Sequence, residues 1–409
     1  MVENYSELFS ERSKGLKASE IRELLKMGNI PGLISFGGGL PNPEAFPIEV
    51  IKKCIDNVFK GNIIGALQYG TTEGLPQLRK EIVARMGKKG IQCTEDDMMI
   101  TSGSQQALSF VGYTFLDCGD FYVAGVPSYL GAIQSFHAYR GKCAQVQVTD
   151  EGFNMDGLKS KLEELKALGI KPKFIYVVSS CHNPSGQTMS LAQRKEIIKV
   201  AEEYDTIIVE DDPYSEITFE GEPLPPIKSF DKGGRVIYLG TFSKVLAPGF
   251  RIGWIIAPKK ILDRFVMLKQ STDLCTNVFA QHVAYEYLRG GYIDEQIKSI
   301  RKLYKRKRDI MVQEMQKNFP KGVTWTVPKG GMFLWVTLPE GTDTRRMFAH
   351  SIEKKVAYVI GDAFYPDGDD TRSMRINFTY SSDEEIIEGI KRLSEIIKDE
   401  MKRSSEGKK

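Results

Sequence analysis

The sequence of 409 residues lacks the features that mark several classes of protein. A charge excess is missing, because 56 lysine and arginine residues face 53 aspartate and glutamate residues, and nothing concentrates nucleic acid or an anionic membrane on the chain. Long apolar runs are also missing, and none approaches the roughly 18 residues of a membrane span. The first residues, Met1 to Tyr5, lack the basic start and apolar core of a signal peptide. We therefore expect a soluble protein that binds neither nucleic acid nor membrane.

Cysteine is scarce, with six residues and no Cys-x-x-Cys pair. Most of the cysteines lie in apolar runs, where a free thiol packs like a small hydrophobic side chain. Their positions are Cys54, Cys93, Cys118, Cys143, Cys181 and Cys275. This usage favours a reducing compartment, so we predict a cytoplasmic location. We also predict no metal site.

One basic stretch, residues 298–308, is the candidate for a nucleic-acid surface. It lies on a predicted long helix, Gly291 to Phe319, whose other face carries Ile300, Leu303 and Tyr304. A helix with one apolar face and one charged face is typical of packing against a core with the charges in solvent. We favour the solvated face.

Helical and strand patterns alternate through the first two thirds of the chain. Short runs rich in Ile, Val and Tyr, separated by helices, indicate a mainly parallel sheet that is buried on both faces. The predicted strands are Met98 to Thr101, Phe121 to Ala124, Ala144 to Val148, Lys173 to Ser179, Thr206 to Glu210 and Arg235 to Gly240. Beyond Ile256 the pattern predicts long helices, Lys259 to Arg289 and Gly291 to Phe319, two further strands, and a last helix, Asp383 to Met401, with a frayed polar tail. The expected fold class is α/β, with a second, smaller α+β unit.

A single lysine in a polar loop is the feature around which the motifs are arranged. The predicted strand Arg235 to Gly240 leads into Thr241, Ser243 and Lys244, and Arg251 follows in the same loop. A lysine amine forms a Schiff base with an aldehyde, while hydroxyls and a guanidinium bind phosphate. The loop therefore fits pyridoxal phosphate (PLP), a phosphorylated aldehyde.

Other strand ends carry groups that suit the remaining parts of the same cofactor, and ligands of parallel sheets bind at the carboxyl ends of strands. Ser104 and Gln105 open a helix whose N-terminus favours phosphate. Tyr129 is placed to lie against a flat ring, and Asn183 to donate to a phenolate oxygen that Tyr214 would share. Asp211 is the carboxylate that would keep a pyridine nitrogen protonated. Each motif alone also occurs in ordinary loops, and their spacing leaves both interpretations open.

The adjacent Cys181 and His182 invite a second hypothesis, a nucleophile with its base. Side chains of sequence neighbours in an extended segment point in opposite directions. We therefore discount this pair.

The chain resembles the PLP-dependent aminotransferases of fold type I, and more closely the subgroup of 2-aminoadipate, kynurenine and aromatic aminotransferases. The stretches that carry the resemblance span almost the whole chain in family order. They are Ala18 to Leu24, Gly38 to Pro41, Leu67 to Tyr69, Gly103 to Gln106, His182 to Pro184, Glu210 to Tyr214, Ser243 to Gly253, Gly330 to Phe333 and Met374 to Ile376.

The resemblance implies a role for each candidate residue. Lys244 would bind the cofactor aldehyde and move the proton at the substrate α-carbon, with Asp211 on the ring nitrogen. Asn183 and Tyr214 would bind the phenolate oxygen, and Tyr129 would stack on the ring. The phosphate ligands would be Ser104, Gln105, Ser243 and Arg251, with the Thr241 hydroxyl nearby and Tyr69 from the neighbouring subunit of a homodimer. The substrate-binding residues would be Arg375 for the α-carboxylate, Asn183, Gly38 and, for an acidic side chain, Arg22, which fits a solvated helix arginine equally well.

The implied architecture is a large domain with a mainly parallel sheet of the seven-stranded type and helices on both faces, plus a smaller α+β domain built from both ends of the chain. The expected bounds are residues 1–47 for the N-terminal arm and helix of the small domain, 48–285 for the PLP-binding domain, and 286–409 for the C-terminal part of the small domain. The implied activity moves the amino group of an amino acid to a 2-oxo acid, for which 2-oxoglutarate is the expected acceptor. Two alternatives remain open: a PLP-dependent lyase or decarboxylase on the same fold, and a regulator built on an aminotransferase-like domain.

Overall fold

A computed structural model describes residues 5–16, 30–368 and 370–406 of the chain. The stretch Ala18 to Leu24, which carries part of the family resemblance and contains Arg22, lies outside these described residues. The strands are β1 Ile34–Ser35, β2 Met98–Thr101, β3 Phe121–Val126, β4 Lys142–Thr149, β5 Gly152–Phe153, β6 Phe174–Val177, β7 Ile207–Asp212, β8 Val236–Thr241, β9 Gly253–Ile256, β10 Thr324–Trp325, β11 Phe333–Thr337, β12 Val356–Ala357, β13 Val359–Ile360 and β14 Ser373–Asn377.

Helices connect most of these strands. In chain order they are Glu11–Lys14, Ile48–Lys60, Ile63–Leu67, Pro76–Lys88, Ser104–Phe115, Leu130–His137, Met155–Ala167, Leu191–Glu203, Lys259–Thr272, Val278–Arg289, Tyr292–Asn318, Thr344–Glu353 and Asp383–Glu406. None of the helices in the described part of the chain is both long and apolar enough to cross a membrane.

The largest sheet within the described residues has eight strands in the order β2-β9-β8-β7-β6-β3-β4-β5. The neighbours β8, β7, β6, β3 and β4 run parallel, whereas β9 is antiparallel to both β2 and β8. Every residue of β6 and β8 is buried, as expected for strands that are covered by helices on both faces. The predicted α/β class is confirmed; the eighth strand, β5, is a two-residue addition at the edge.

A second sheet, with strand order β10-β11-β14-β13, is antiparallel throughout. Beside it, β1 pairs in parallel with β12, so that Ile34 lies opposite Val356. An N-terminal segment therefore joins the C-terminal third of the chain, which fits the predicted grouping of the two ends. The bounds 1–47, 48–285 and 286–409 stay a prediction.

The predicted single helix Lys259 to Arg289 is wrong. The structure has two helices, which are separated at residues 273–277. Leu274 has a φ of 61°, which is incompatible with a continuous right-handed helix. The Asn277 side chain then accepts a hydrogen bond of 2.8 Å from the amide of Ala280 and so begins the second helix.

The last helix is longer than predicted, since it runs from Asp383 through Glu406 rather than ending at Met401. The expected frayed tail from residue 402 is therefore helical over its first five residues. Glu400, which is buried, accepts a hydrogen bond of 2.9 Å from the amide of Asp343 and ties this last part of the helix to the body of the protein.

Candidate active site

The carboxyl ends of β2, β3, β6, β7 and β8 lie at one edge of the large sheet, because these strands point in the same direction. The loops that follow them carry most of the sequence-predicted site residues. A sheet edge of this kind is the usual ligand site of α/β folds.

Lys244 lies in the turn after β8, and its Nζ atom donates a hydrogen bond of 3.1 Å to the carbonyl oxygen of Gly39. Burial lowers the pKa of this lysine to about 8, and the positive charges of Arg375 and Arg251 act in the same direction. A lysine of that pKa has a large neutral fraction near pH 8, and the neutral amine is the form that attacks an aldehyde.

Asp211 lies near the end of β7 and is buried. Its Oδ2 atom accepts a hydrogen bond of 3.0 Å from the hydroxyl of Tyr176, whereas Oδ1 is buried and has no hydrogen-bond partner among the described residues. Burial raises the pKa of this carboxyl to about 7; the Tyr176 hydroxyl opposes the shift and Asp212 adds to it. A buried oxygen without a partner destabilises a fold unless a ligand satisfies it.

Asn183, Tyr214 and Arg375 form one buried chain of contacts. The Asn183 amide nitrogen lies 3.3 Å from the Tyr214 hydroxyl, and Arg375 Nη1 donates to Asn183 Oδ1 at 2.9 Å. Burial raises the pKa of Tyr214, so the phenol stays protonated at neutral pH. These contacts link the predicted cofactor side of the site with the predicted substrate side.

Arg375 is fully buried on β14. Its Nη2 atom donates to the carbonyl oxygen of Gly37 at 2.9 Å, and its Cζ atom lies 4.1 Å and 5.1 Å from the ring centroids of Phe333 and Phe364. Burial lowers the pKa of this arginine to about 10. Nε is buried and lacks a partner within the described part of the chain. A cation in this setting is suited to an anionic ligand such as a carboxylate.

Gly38 lies between two residues whose carbonyl oxygens accept these hydrogen bonds from Lys244 and Arg375. The glycine stretch that the sequence predicts to approach a ligand therefore contacts both cations through its backbone. Residues Gly37 and Gly39, Phe333, Phe364 and Tyr176 were not predicted as site residues. Backbone carbonyls and aromatic neighbours give no sequence signal, although Phe333 lies in a stretch that carries the family resemblance.

The predicted phosphate cradle is formed by two loops that meet. Ser104 begins the helix Ser104–Phe115 after Gly103, which has a φ of 73°. Arg251 Nη2 donates to the carbonyl oxygen of Ser102 at 3.1 Å, and a Cβ atom on Gly103 would lie 2.5 Å from the same nitrogen. Glycine is therefore required where the guanidinium crosses the helix start. The arrangement places a guanidinium beside free helix amides, which suits a phosphate.

The hydroxyls of Thr241 and Ser243 lie 2.9 Å apart in the turn that carries Lys244. Thr241 also donates to the carbonyl oxygen of Ile252 at 3.2 Å and accepts from the Ser243 amide at 3.1 Å. The Thr241 hydroxyl thus holds the turn together, because its one proton is donated to Ile252. The Ser243 hydroxyl is the better placed phosphate donor of the two, since it can turn its proton from Thr241 to a phosphate.

Gln105 and Tyr129 contact each other across the same edge, where the Tyr129 hydroxyl donates to Gln105 Oε1 at 3.2 Å. Gln105 Nε2 donates to the carbonyl oxygen of Gly131 at 2.9 Å and to the Ser135 hydroxyl at 2.8 Å. Both predicted residues therefore lie together at the cradle.

Cys181 and His182 have different neighbours. The thiol lies 3.8 Å from the Thr218 hydroxyl, whereas His182 Nδ1 lies 2.8 Å from the Ser185 hydroxyl. Burial lowers the His182 pKa to about 4, so this ring stays neutral at ordinary pH.

Two predicted residues are not placed with the others. Tyr69 is 80% exposed, and its amide donates a hydrogen bond of 2.9 Å to Gln68 Oε1 of its own loop. Arg22 lies outside the described residues.

The donor set fits PLP part by part. One edge of the sheet carries a group for each part of the cofactor. The amine of Lys244 suits the aldehyde, and the buried carboxylate oxygen of Asp211 without a partner among the described residues suits the ring nitrogen. A phenol with an amide suits the phenolate oxygen, and a guanidinium beside a helix start suits the phosphate. No other buried side-chain carboxylate oxygen at this edge of the described structure is without a partner. Fold and site together define a PLP-dependent enzyme of fold type I.

Comparisons with known proteins give the same result. The family model described as aminotransferase class I and II matches residues 38–393. The chain is 49% identical to aromatic-amino-acid aminotransferase 1 of Thermococcus litoralis, over 98% of this chain and 96% of that protein. It is 48% identical to the crystal structure of Pyrococcus horikoshii kynurenine aminotransferase in complex with PMP, with a TM-score of 0.95 over 98% of this chain and 99% of that one.

A third relative is α-aminoadipate aminotransferase from Thermus thermophilus, solved with N-(5'-phosphopyridoxyl)-L-leucine. It is 35% identical, with a TM-score of 0.91 over 98% of this chain and 99% of that chain. The chain belongs to the class I and II aminotransferases, and its cofactor is PLP. The predicted family, enzyme class and cofactor are therefore confirmed.

Proposed function

We propose that this aminotransferase takes the amino group from an aromatic amino acid, kynurenine, 2-aminoadipate or a similar donor and passes it to a 2-oxo acid, with 2-oxoglutarate as the expected acceptor. The relatives that support this range are named for aromatic amino acids, kynurenine and aminoadipate, and one was solved with a leucine adduct. The observation that carries the assignment of the site is the buried Oδ1 atom of Asp211, which lacks a partner in the described residues.

When bound, PLP supplies a positively charged ring that withdraws electrons from the substrate α-carbon. Asp211 stabilises that charge at the ring nitrogen. Lys244 would hold the aldehyde carbon of the cofactor until the amino group of the substrate replaces it there. The freed amine would then carry the proton between the substrate α-carbon and the C4′ atom of the cofactor. Its lowered pKa suits both tasks, because a base with a pKa near the working pH is neutral often enough to accept a proton.

The other site residues bind and orient. Asn183 and Tyr214 hold the phenolate oxygen, and Tyr129 packs against the ring. Arg375 pairs with the α-carboxylate through its guanidinium, beside Gly38. The phosphate ligands are Ser104, Gln105, Ser243 and Arg251, with the Thr241 hydroxyl nearby and Tyr69 from a second subunit.

We place the enzyme in the cytoplasm as a homodimer with its sites at the interface. The exposure of Tyr69, at 80%, supports the dimer, because a tyrosine that binds a neighbour's phosphate must project from its own subunit. Nearby Ile64 and Leu67 are 77% and 71% exposed, which is an apolar surface that a partner subunit would cover. All six cysteines are free, as a reducing compartment requires.

Donor choice is tested by a screen of amino acids against 2-oxoglutarate, repeated with Arg22→Ala. If Arg22 binds acidic side chains, the variant loses kcat/KM by about tenfold or more for 2-aminoadipate and glutamate and keeps it for aromatic donors. Lys17→Ala is the matched control, because it removes a nearby positive charge of the same segment. An equal loss for all donors would contradict the role of Arg22, and absence of activity with every donor would contradict the proposed donor range.

A further inference from the structure

Asp211, the proposed partner of the cofactor ring nitrogen, is oriented by one side chain of a neighbouring strand. Tyr176 lies on β6 opposite Val209 of β7. Residues two apart on a strand share a face, so Tyr176 and Asp211 lie on the same face of the sheet. The tyrosine hydroxyl reaches Asp211 Oδ2 at 3.0 Å.

We propose that Tyr176 is a positioning residue for the cofactor: its hydroxyl holds Oδ2 of Asp211, directs Oδ1 toward the ring nitrogen, and keeps the carboxyl ionised. The inference deepens the proposed function, because it rests on the assignment of Asp211 to that nitrogen. No other hydrogen bond to the Asp211 carboxylate occurs among the described residues. The orientation of this carboxylate therefore depends on a single donor.

The hydroxyl also decides where one proton lies. A proton shared by a carboxylate and a pyridine nitrogen is either on the nitrogen, as an ion pair, or on the oxygen, as a neutral pair. Burial favours the neutral pair, since it raises the Asp211 pKa to about 7. A hydrogen bond donated to the carboxylate stabilises its charged form and shifts the proton toward the nitrogen. The protonated ring is the better electron acceptor.

The chain contains a matched control for this contact. Tyr238 on β8 lies opposite Glu210 and donates to Asp212 Oδ2 at 2.8 Å, on the opposite face of β7. Both tyrosines are fully buried, and both donate to an aspartate near the end of β7. Tyr238→Phe and Tyr176→Phe thus remove the same atom from a fully buried tyrosine that donates to an aspartate, one on each face.

The experiment compares wild type, Tyr176→Phe, Tyr238→Phe and Asp211→Asn. Each protein is reconstituted with PLP or with 1-deazapyridoxal phosphate, which has a C–H group in place of the ring nitrogen. Cofactor dissociation constants are measured by equilibrium titration at the cofactor absorbance band. The pH dependence of that band and the rate of the half-reaction with one amino acid are recorded as well, and melting temperature reports folding.

With PLP, Tyr176→Phe is expected to raise the dissociation constant about tenfold and to slow the half-reaction about tenfold, which is the effect of losing one hydrogen bond to a charged group. With the deaza cofactor, Tyr176→Phe and wild type are expected to agree within about twofold. Tyr238→Phe is expected to lower the melting temperature and to leave the PLP dissociation constant within about twofold of wild type.

The inference is overturned if Tyr176→Phe binds and reacts with PLP like wild type. It is also overturned if the variant loses as much affinity and rate with the deaza cofactor as with PLP. It is also overturned if Tyr238→Phe loses PLP to the same degree, because the effect would then be structural. Asp211→Asn distinguishes failure of the role of Tyr176 from failure of the role of Asp211. If Asp211→Asn is impaired and Tyr176→Phe is not, the inference alone fails; if Asp211→Asn behaves like wild type, the proposed role of Asp211 fails as well.

Discussion

Asp211 and Asp212 are neighbours at the end of β7, and their side chains lie on opposite faces of the sheet in very different surroundings. Asp212 accepts hydrogen bonds from the amide and hydroxyl of Ser215, at 3.0 Å and 2.6 Å, and from Tyr238, and it pairs with Lys89 at 3.5 Å. Asp211 receives the Tyr176 hydroxyl and keeps one oxygen without a partner in the described structure. Burial raises both pKa values, but at Asp212 Lys89, Ser215 and Tyr238 outweigh it and lower the pKa, whereas at Asp211 the pKa stays raised, at about 7.

The same contrast holds for the lysines on the two faces. Lys89 lies between the carboxylates of Glu216 and Asp212, at 3.2 Å and 3.5 Å, and although burial opposes it these charges raise its pKa. Lys244 has no carboxylate within salt-bridge distance among the described residues, and burial lowers its pKa to about 8. One face of the strand end carries a closed network of paired charges, and the other carries two ionisable groups with incomplete partners.

The two aspartates show that adjacent residues of one strand can have different roles, one in stability and one in a reactive site. A buried charge that is fully paired resists a change in protonation, and removal of one of its partners destabilises the protein. A buried group with a partner missing has a shifted pKa and can still accept a ligand: the lowered pKa of Lys244 suits a nucleophile and base, and Asp211 keeps one oxygen for a ring nitrogen. The incomplete face is therefore the one to which we assign the reaction.

The largest difference in turnover between variants of the two faces is expected from substitution of the two lysines. Lys244→Ala should slow turnover by about 10⁴-fold or more, because it removes the residue to which we assign both the binding of the aldehyde and the transfer of the proton. Its melting temperature should stay near that of wild type, since a buried lysine with a lowered pKa contributes no stabilising ion pair. Turnover is measured with excess PLP and calorimetry gives the melting temperature.

Lys89→Ala is the matched control on the other face. It should lower the free energy of unfolding by about 1 to 3 kcal/mol, because Asp212 then stays buried with its charge less compensated. The rate per folded molecule should stay within about threefold of wild type. If Lys89→Ala slowed turnover as much as Lys244→Ala, the division into a structural and a reactive face would be wrong.

The second effect is a dependence on pH at Lys244. The neutral amine is the reactive form, so the rate at which cofactor-free protein binds PLP covalently should rise about tenfold per pH unit below pH 8 and level off above it. Stopped-flow absorbance measures this rate. Nα-acetyllysine, with an ordinary pKa of about 10.4, should keep accelerating to pH 10 under the same conditions. A protein profile that follows the free amine would contradict the lowered pKa of Lys244.

Much of this architecture is predictable from sequence, and the limits have physical causes. Apolar runs and strand-end polar residues predict the sheet and the loops of Lys244, Asp211 and Asn183, because strand direction fixes where the loops meet. The predicted strand Met98 to Thr101 agrees with the structure residue by residue.

What the sequence does not reveal depends on contacts between distant segments. The antiparallel β9 is not among the predicted strands, and its place in the sheet is set by pairing with β2 and β8. The aspartate pair itself predicts a carboxylate at the strand end. Which partners each receives depends on Lys89, Tyr176 and Tyr238, which come from three other parts of the chain.

The smallest effect on activity is expected from Asp212→Asn. The substitution keeps the size of the side chain and an acceptor for the Ser215 amide, but it removes the charge that Lys89 pairs with. We expect a loss of about 2 kcal/mol in unfolding free energy at pH 7, measured by urea denaturation, and kcat within about threefold of wild type.

The Asp212 pKa is lowered by folding, so its stabilisation is present above the unfolded value of about 3.9 and is lost as the pH falls through the folded value. The difference between wild type and variant should therefore shrink in acid below about pH 4, and a difference that grows there would show that the Asp212 charge does not stabilise this face.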